Sequence, residues 1–396
     1  MIFDIIKGMN TVVKPLAEKK IKKGIQLIEM SDLKDSDIEL DSKIVDLINY
    51  RGEFLAKAYF SPQHKGVGWV FSQGYENLDF TFFINKFQEA RRKRYSFFES
   101  DLTTAYRLFN QDGDGFGGLT IDRYGDFAVF SWYNSFVYDR KELIITAFRE
   151  IFPEIVGGYE KIRFNGLDYV SSHLFGQLAP KSITIKENGV CYRVFMNDGL
   201  MTGIFLDQHE VRGCFVDGLA TGKSLLNMFS YTAAFSIAAA MGGASQTCSV
   251  DLAKRSKELS EAHFIANGMD CANHTFMVMD VFAYFKYAKK KGLSYDIIVL
   301  DPPSFARNKK QTFSVAKDYH KLIAQSLDIL NPKGIIIAST NAANVTIERF
   351  KQEIEKGFGT CPHRYVQVHR LPADFVYNKN DESSNYLKVF TIEVQR

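Results

Sequence analysis

Four polar positions stand out because each closes a short, uncharged apolar stretch. Asn227 opens the loop Asn227–Met228–Phe229–Ser230–Tyr231–Thr232 behind SLLNM, Asp251 ends QTCSVD, Asp280 ends TFMVMD, and Asp301–Pro302–Pro303 ends YDIIVLDPP. A carboxylate 24 positions after Asn227 lies where a dinucleotide or adenosyl ligand presents its ribose hydroxyls, which one carboxylate accepts as a pair. Asp280, one strand further along, can accept from an adenine amino group, and the helix that starts after it offers backbone N–H groups. Any one of these Asp residues could serve as a helix N-cap. Three at consecutive strand ends favour a ligand site.

The first loop discriminates between adenosyl ligands. A dinucleotide brings its pyrophosphate against a G-x-G-x-x-G turn, and FSYTAAF contains no glycine. S-adenosylmethionine has no phosphate and tolerates a bulkier loop. Its sulfonium methyl has to face a nucleophile, and Asp301–Pro302–Pro303 supplies a stiff edge for that purpose. Pro302 fixes its own φ and biases Asp301 toward extended geometry.

The elements that must position these residues form the most regular part of the chain. SLLNM, QTCSVD, TFMVMD, YDIIVL and GIIIAST read as buried strands. They alternate with the amphipathic patterns TAAFSIAAAMGG, KRSKELSEAHFIANG, VFAYFKYAKKKG and KDYHKLIAQSLDIL, and a late pair of strand patterns follows near HRYVQVHRL and YLKVFTIEV. Uncharged strands alternating with helices predict an α/β, doubly wound, mainly parallel sheet over residues 191–396, with ligands at the carboxyl ends of its strands. Residues 1–74 read as a small β-rich module, with IQLIEM, IVDLI and FLAKAYF as strands. Residues 75–190 read as an α+β middle domain. It begins with a helix carrying Phe83, Phe87 and Ala90 on one face, and two strand patterns flank the Gly-rich turn of YRLFNQDGDGFGGLTIDRYGDFAVFSWY.

Composition bounds the function. With 396 residues the chain is long enough for two or three domains, and 46% hydrophobic with 24% charged residues is ordinary for a globular protein. Lys plus Arg less Asp plus Glu is 49 − 46 = +3, so any polyanion site must come from local clustering. The five cysteines are scattered, without a C-x-x-C pair or a Cys/His cluster, so no metal site is expected. Their odd number, and a start without the pattern of a secretory leader, point to a reducing, cytoplasmic setting. No apolar run is long enough for a membrane span. The composition leaves monomer and homodimer both open.

As a set, TGIFLDQHEVR at 202–212, NMFSYTAAF at 227–235, VDLA at 250–253 and DPPSFARNK at 301–309 resemble the class I S-adenosylmethionine-dependent methyltransferases of large-subunit (23S) ribosomal RNA, the branch with an N-terminal PUA domain. RGEFLAKAYFSP at 51–62 resembles that family's PUA strands, and DGFGGLTIDRYGDF at 114–127 its middle domain, so the resemblance covers nearly the whole chain. It implies a Rossmann-like methyltransferase domain preceded by a PUA and an α+β domain, and methyl transfer from S-adenosylmethionine to a base of 23S rRNA or of a large-subunit assembly intermediate. The implied cofactor contacts are Phe205, Gln208, Arg212, Asn227, Phe229, Ser230, Tyr231, Thr232, Asp251 and Asp280. Asp301 and Pro302 would line the methyl-transfer position.

One departure bears on the target atom. Cytosine-5 members of the family carry a cysteine in an S-C-S type turn after the fifth strand, whereas the aligned residues here are Ser339–Thr340–Asn341. Carbon 5 of cytosine is a poor nucleophile until a thiolate adds at carbon 6, and DPPS offers no thiol either. Guanine N7 carries an in-plane lone pair and loses no proton on methylation, so alignment with the sulfonium suffices. A related large-subunit enzyme domain that methylates guanine N7 resembles this chain at the D-P-P and fifth-strand turns. Guanine N7 or another nitrogen is therefore the favoured acceptor, with Asn341 and Asp301 orienting the base and no cysteine acting covalently. The rival readings are a cytosine-5 methyltransferase, a non-catalytic RNA-binding protein retaining a cofactor fold, and a nicotinamide-dependent oxidoreductase.

Other motifs carry less. N-Q-D-G-D-G at 110–115 opens like an EF-hand loop, but the twelfth position is Ile121, and a tight hairpin turn explains its glycines. Lys289–Lys290–Lys291 before Gly292 suits a helix C-terminus. Lys19, Lys20, Lys22 and Lys23, and Arg91, Arg92, Lys93 and Arg94, lie outside the catalytic segment, the second run beside Tyr95, Phe97 and Phe98, and are expected to contact RNA phosphates. His209 and His320 show no orienting partner in the sequence, which favours surface or packing roles over general-base roles.

Overall fold

A computed structural model describes residues 9–35, 43–307 and 312–396. Three sheets account for most of the chain. The first has five strands between Met9 and Ser72, where Ile44–Ile48, Phe54–Phe60 and Gly68–Ser72 form a meander and Met9–Val12 adds in parallel to Ile44–Ile48. Its core is Val45, Leu47, Ala56, Ala58 and Val70, packed against Ala17 and Ile21 of the helix Pro15–Lys22.

The helix Phe80–Lys93 follows, capped by Asp79, whose side chain accepts from the Phe82 N–H. Phe83, Phe87 and Ala90 are buried as the spacing predicts. They pack among Phe109, Phe116, Phe148 and Phe152, so much of the aromatic content is core. The second sheet runs Ala105–Asn110, Leu119–Tyr124, Phe127–Trp132, Gly157–Ile162, Ser171–Gly176 in neighbour order, antiparallel except for one parallel pair joined through the helix Lys141–Ile151. A hairpin of Ile183–Glu187 and Val190–Val194 then straddles residue 190. Its core residues Ile185, Val190, Tyr192 and Val194 belong to the cluster that includes Leu225 and Ile337 of the third sheet. The same cluster holds Ala105, Tyr124, Val129 and Tyr159 of the second sheet, so the hairpin packs between the second and third sheets.

The third sheet positions the site. Its strands are β1 (Ser224–Met228), β2 (Gln246–Asp251), β3 (His274–Val278), β4 (Tyr295–Leu300), β5 (Leu330–Thr340), β6 (His363–His369) and β7 (Lys388–Val394). The order is β3-β2-β1-β4-β5-β7-β6. Strands β1 to β5 are parallel, and β7 runs antiparallel between β5 and β6. Order reverses at β1 and β4, which places a crevice at their carboxyl ends. Ile297, Ile298, Val299 and Leu300 in β4 are fully buried because helices cover both faces. Among the described residues no helix is long and apolar enough to cross a membrane.

Candidate active site

A cavity of about 510 Å³ opens over the carboxyl ends of β1, β2 and β4. Of the thirteen residues expected at a cofactor or catalytic site, twelve line it: Phe205, Gln208, Arg212, Phe229, Ser230, Tyr231, Thr232, Asp251, Asp280, Asp301, Pro302 and Asn341. Asn227 does not. It lies inside β1, buried, and its carboxamide donates to Ser236 Oγ, so it braces the helix Ala234–Met241 against the strand. The expectation that Asn227 touches the ligand is corrected by that inward orientation.

The loop after β1 adopts a backbone that glycines usually supply. Phe229, Tyr231 and Ala233 have φ of 59°, 49° and 61°. Each such residue costs about 1–3 kcal/mol and persists only where surroundings hold it. Asp251 does part of this holding: its Oδ2 accepts from the Tyr231 N–H at 2.9 Å, while Oδ1 accepts from the Ala253 N–H at 2.9 Å and from Ser256 Oγ at 3.2 Å. Thr232 Oγ1 ties the loop to the Gly203 carbonyl at 2.7 Å. Carboxylate oxygens have about four acceptor sites, so Asp251 retains capacity for a ribose hydroxyl.

Asp280 is not the last residue of a strand. β3 ends at Val278, and Asp280 caps the helix Val281–Lys291, its side chain accepting from the Ala283 N–H. It is both a cap and part of the cavity wall. Beside it Val281, Phe282, Phe229 and Phe313 form an apolar slot, with ring centroids 5.9 Å apart for Phe282–Phe313 and 6.3 Å for Phe229–Phe313.

Opposite the slot, Gln208 Nε2 donates to Asp301 Oδ1 at 3.1 Å and to Ser339 Oγ at 2.7 Å. Gln208 Oε1 is buried without a partner. Burial holds the Asp301 carboxyl up at about 6, although Ser339 and Gln208 pull it down. Arg212 closes the floor, but its guanidinium is bound bidentately by Glu187 at 2.6 and 2.7 Å and also donates to the Phe205 carbonyl. Its charge is thus matched within the protein, and it shapes the cavity by fixing Phe205.

A family model described as S-adenosylmethionine-dependent methyltransferase matches residues 168–379, and a PUA-like domain model matches residues 12–73. SMU.776, provisionally assigned as a methyltransferase and crystallised with SAH, superposes with a TM-score of 0.94 at 59% identity, covering 98% of this chain and 100% of that one. The chain belongs to the S-adenosylmethionine-dependent methyltransferases. YwbD of Bacillus subtilis, provisionally named a ribosomal RNA large subunit methyltransferase, is 44% identical over 382 residues, 94% of this chain and 96% of its own. Ribosomal RNA large subunit methyltransferase I of Yersinia pestis is 28% identical over 364 residues, 90% and 91% of the two chains.

The cavity of this methyltransferase fits its cofactor. The size falls within the range of small-molecule sites. The apolar slot beside Asp280 suits adenine, Asp251 suits the ribose, and the unpartnered Gln208 Oε1 offers an acceptor to an ammonium group. Sequence reasoning missed Asp207, Phe235, Val281, Phe282 and Phe313 in the lining. Asp207 sits inside TGIFLDQHEVR and Val281–Phe282 directly follow Asp280, so neighbourhood was an available signal. Phe313 lies on a strand, Thr312–Ser314, that pairs antiparallel with Phe305–Arg307, and has none.

Not all of the basic residues expected at RNA reach solvent. Arg94 is fully buried, with Nη1 and Nη2 on Asp114 at 3.1 and 2.6 Å and Nε on the Asp374 carbonyl. A phosphate cannot reach it, which corrects that expectation. Arg91 is held by Glu154 and lies over the Phe98 ring, Arg92 pairs with Glu89, and Lys93 pairs with Asp114. On the helix Pro15–Lys22, Lys20 pairs with Asp32 and Lys22 with Glu18, while Lys19 and Lys23 are exposed. Asp114, the second acidic position of the EF-hand-like stretch, is the partner of Arg94. That stretch forms a turn of Gln111–Asp114 closed by Gly115 at φ 85°. His209 does have a partner: Nε2 meets Asp374 Oδ1 at 2.8 Å. Burial opposes a charge on this imidazole, but Asp374 outweighs it and the pKa rises. His320 pairs with Glu353.

Proposed function

We propose that this methyltransferase modifies a base of large-subunit ribosomal RNA and that the acceptor is a nitrogen, guanine N7 first. The observation that carries the choice of atom is the composition of the wall at Asp301–Pro302–Pro303. Among the described residues that line the cavity there is no cysteine, and the turn where a thiol would stand holds Asn341, whose Oδ1 accepts from Ser304 Oγ at 3.1 Å. Bound S-adenosylmethionine supplies an electrophilic methyl group. The chain's own residues then have only to align a lone pair, since an in-plane ring nitrogen needs neither covalent activation nor loss of a proton. Asn341 and Asp301 provide hydrogen bonds that orient the base, and Pro302, buried beside Asp301, keeps that edge stiff.

The RNA reading is supported by the PUA-like match at residues 12–73 and by the names of relatives that match over nearly the whole chain. Its test is transfer of labelled methyl from S-adenosylmethionine to rRNA purified from cells lacking the gene. The label is expected in the large-subunit species. Label confined to small-subunit rRNA, or to neither, contradicts the reading.

A further inference from the structure

A second cavity, of about 410 Å³, adjoins the first and shares Phe205, Asp207 and Asn341 with it as a common wall. Its remaining sides converge from all three sheets: Trp69 from the first, Arg107 and Arg163 from or beside the second, and Tyr386 next to β7 of the third. Chemistry on a nucleobase requires that the base leave its stack and enter a pocket, because the reacting atom is inaccessible within a helix. A cavity of this size that adjoins the methyl donor meets that requirement.

The polar groups of the cavity match a nucleotide. Arg107 is bound by Asp122 at 2.7 and 3.1 Å and stands over the Phe375 ring at 4.2 Å from its centroid, so its charge is matched within the protein. Lys161, only 1% exposed, donates to Ser171 Oγ and to the Met196 and Gly199 carbonyls, and Arg163 donates to the Leu200 carbonyl. Lys161 thus spends its three donors inside the protein and braces this wall, whereas Arg163 Nε is buried without a partner. Lys65 stands exposed at the same cavity. On the shared wall, Asp207 accepts from the Tyr386 hydroxyl at 3.1 Å and keeps acceptor sites for two adjacent N–H donors, such as N1–H and N2–H of guanine.

We propose that the second cavity receives the acceptor nucleotide, swung out of its RNA strand, with the phosphates toward Lys65 and Arg163 and the base edge on Asp207 and Asn341. This rests on the RNA-base reading above and adds the place and the recognising residues.

The test uses the full-length protein, rRNA from cells lacking the gene, and two variants whose altered residues line the second cavity but not the first. Ala343→Trp fills the cavity, and Arg163→Met removes a cation without adding bulk. Both are expected to lower methyl transfer about 100-fold or more, with S-adenosylmethionine affinity by calorimetry within twofold of the parent. Parental turnover in both variants overturns the proposal. If the parent labels no rRNA, the substrate reading has failed, and the cavity is judged on guanosine 5′-monophosphate added to the protein loaded with S-adenosylhomocysteine. Saturation-transfer NMR contacts in the parent that vanish in Ala343→Trp support the nucleotide site, and their absence from both overturns it.

Discussion

Ser304 Oγ and Asn341 Oδ1, 3.1 Å apart, tie the turn after β4 to the turn after β5 across the mouth of the cofactor cavity. Its carbonyl oxygen takes the Ser304 hydrogen bond, and its amide N–H groups are the donors it can offer a base. A base acceptor such as guanine O6 suits that donor, and a covalent attack on cytosine has nothing to use. Asn341→Ala should lower kcat for methyl transfer about 100-fold, the usual effect of removing one aligned donor, without changing S-adenosylmethionine affinity. An equal loss of cofactor binding by calorimetry would assign Asn341 to the cofactor instead.

The cysteines should be dispensable. Cys248 is buried in β2 with its sulfur 3.1 Å from the Tyr284 hydroxyl, and Cys191, Cys214, Cys271 and Cys361 also stand outside the cavity lining. Changing all five to Ser or Ala should leave methyl transfer within a few-fold of the parent in protein whose circular dichroism is unchanged. Loss of activity on Cys361→Ala alone would point to a thiol that folds toward the site.

Asp251 holds Tyr231 in the loop of Phe229, Tyr231 and Ala233, whose backbone is left-handed, and we propose that it also accepts from the cofactor ribose. Removing a charged acceptor costs about 1.5–3 kcal/mol, roughly 10- to 150-fold in affinity. Asp251→Ala should weaken S-adenosylmethionine binding by at least that factor. Asp251→Asn, which keeps one acceptor for the Tyr231 N–H, should lose less. Parental affinity in Asp251→Ala by calorimetry would disprove the ribose assignment.

Arg94 and the exposed lysines should separate stability from RNA binding. Breaking the buried Arg94–Asp114 pair leaves the carboxylate with only Lys93, at 3.3 Å, as a cationic partner, so Arg94→Met should destabilise the protein by up to about 3–5 kcal/mol in urea denaturation. Lys19→Ala with Lys23→Ala should leave stability alone and make the log-affinity against log-salt slope for rRNA shallower by about 0.7 per lost phosphate contact. An unchanged slope would return these lysines to an ordinary solvated face.

Asp301 predicts a pH dependence. Its carboxyl is held at about 6 against an ordinary 3.8, so the folded state keeps a proton that the unfolded chain releases. Stability therefore falls as pH rises through the window from 3.8 to about 6, by up to about 3 kcal/mol. Asp301→Asn should be more stable than the cofactor-free parent at pH 8 and equal to it near pH 3.5, while losing methyl transfer. A stability difference that does not change with pH would show that Asp301 ionises normally.

The third sheet was readable because its central strands are largely apolar and alternate with helical patterns, and β1 and β2 begin and end where SLLNM and QTCSVD do. The polar residues at strand ends disclosed the cofactor cavity for the same reason: a parallel sheet presents its carboxyl ends to one crevice. Three features stayed hidden because they depend on contacts distant in sequence. Asn227 turns inward to Ser236, which strand periodicity does not decide. Arg94 looks like its basic neighbours until Asp114, twenty residues on, is brought against it. Asp374 answers His209 across 165 residues, and no local spacing announces that pair.

The most direct test of the central claim is the chemical identity of the methylated nucleoside. Large-subunit rRNA from cells lacking the gene, treated with the purified protein and S-adenosylmethionine and digested to nucleosides, should yield 7-methylguanosine, or failing that a nucleoside methylated on an exocyclic amine, by liquid chromatography and mass spectrometry. 5-Methylcytidine as the new product would contradict the account, because the wall formed by Asp301, Ser304 and Asn341 contains no thiol to make it.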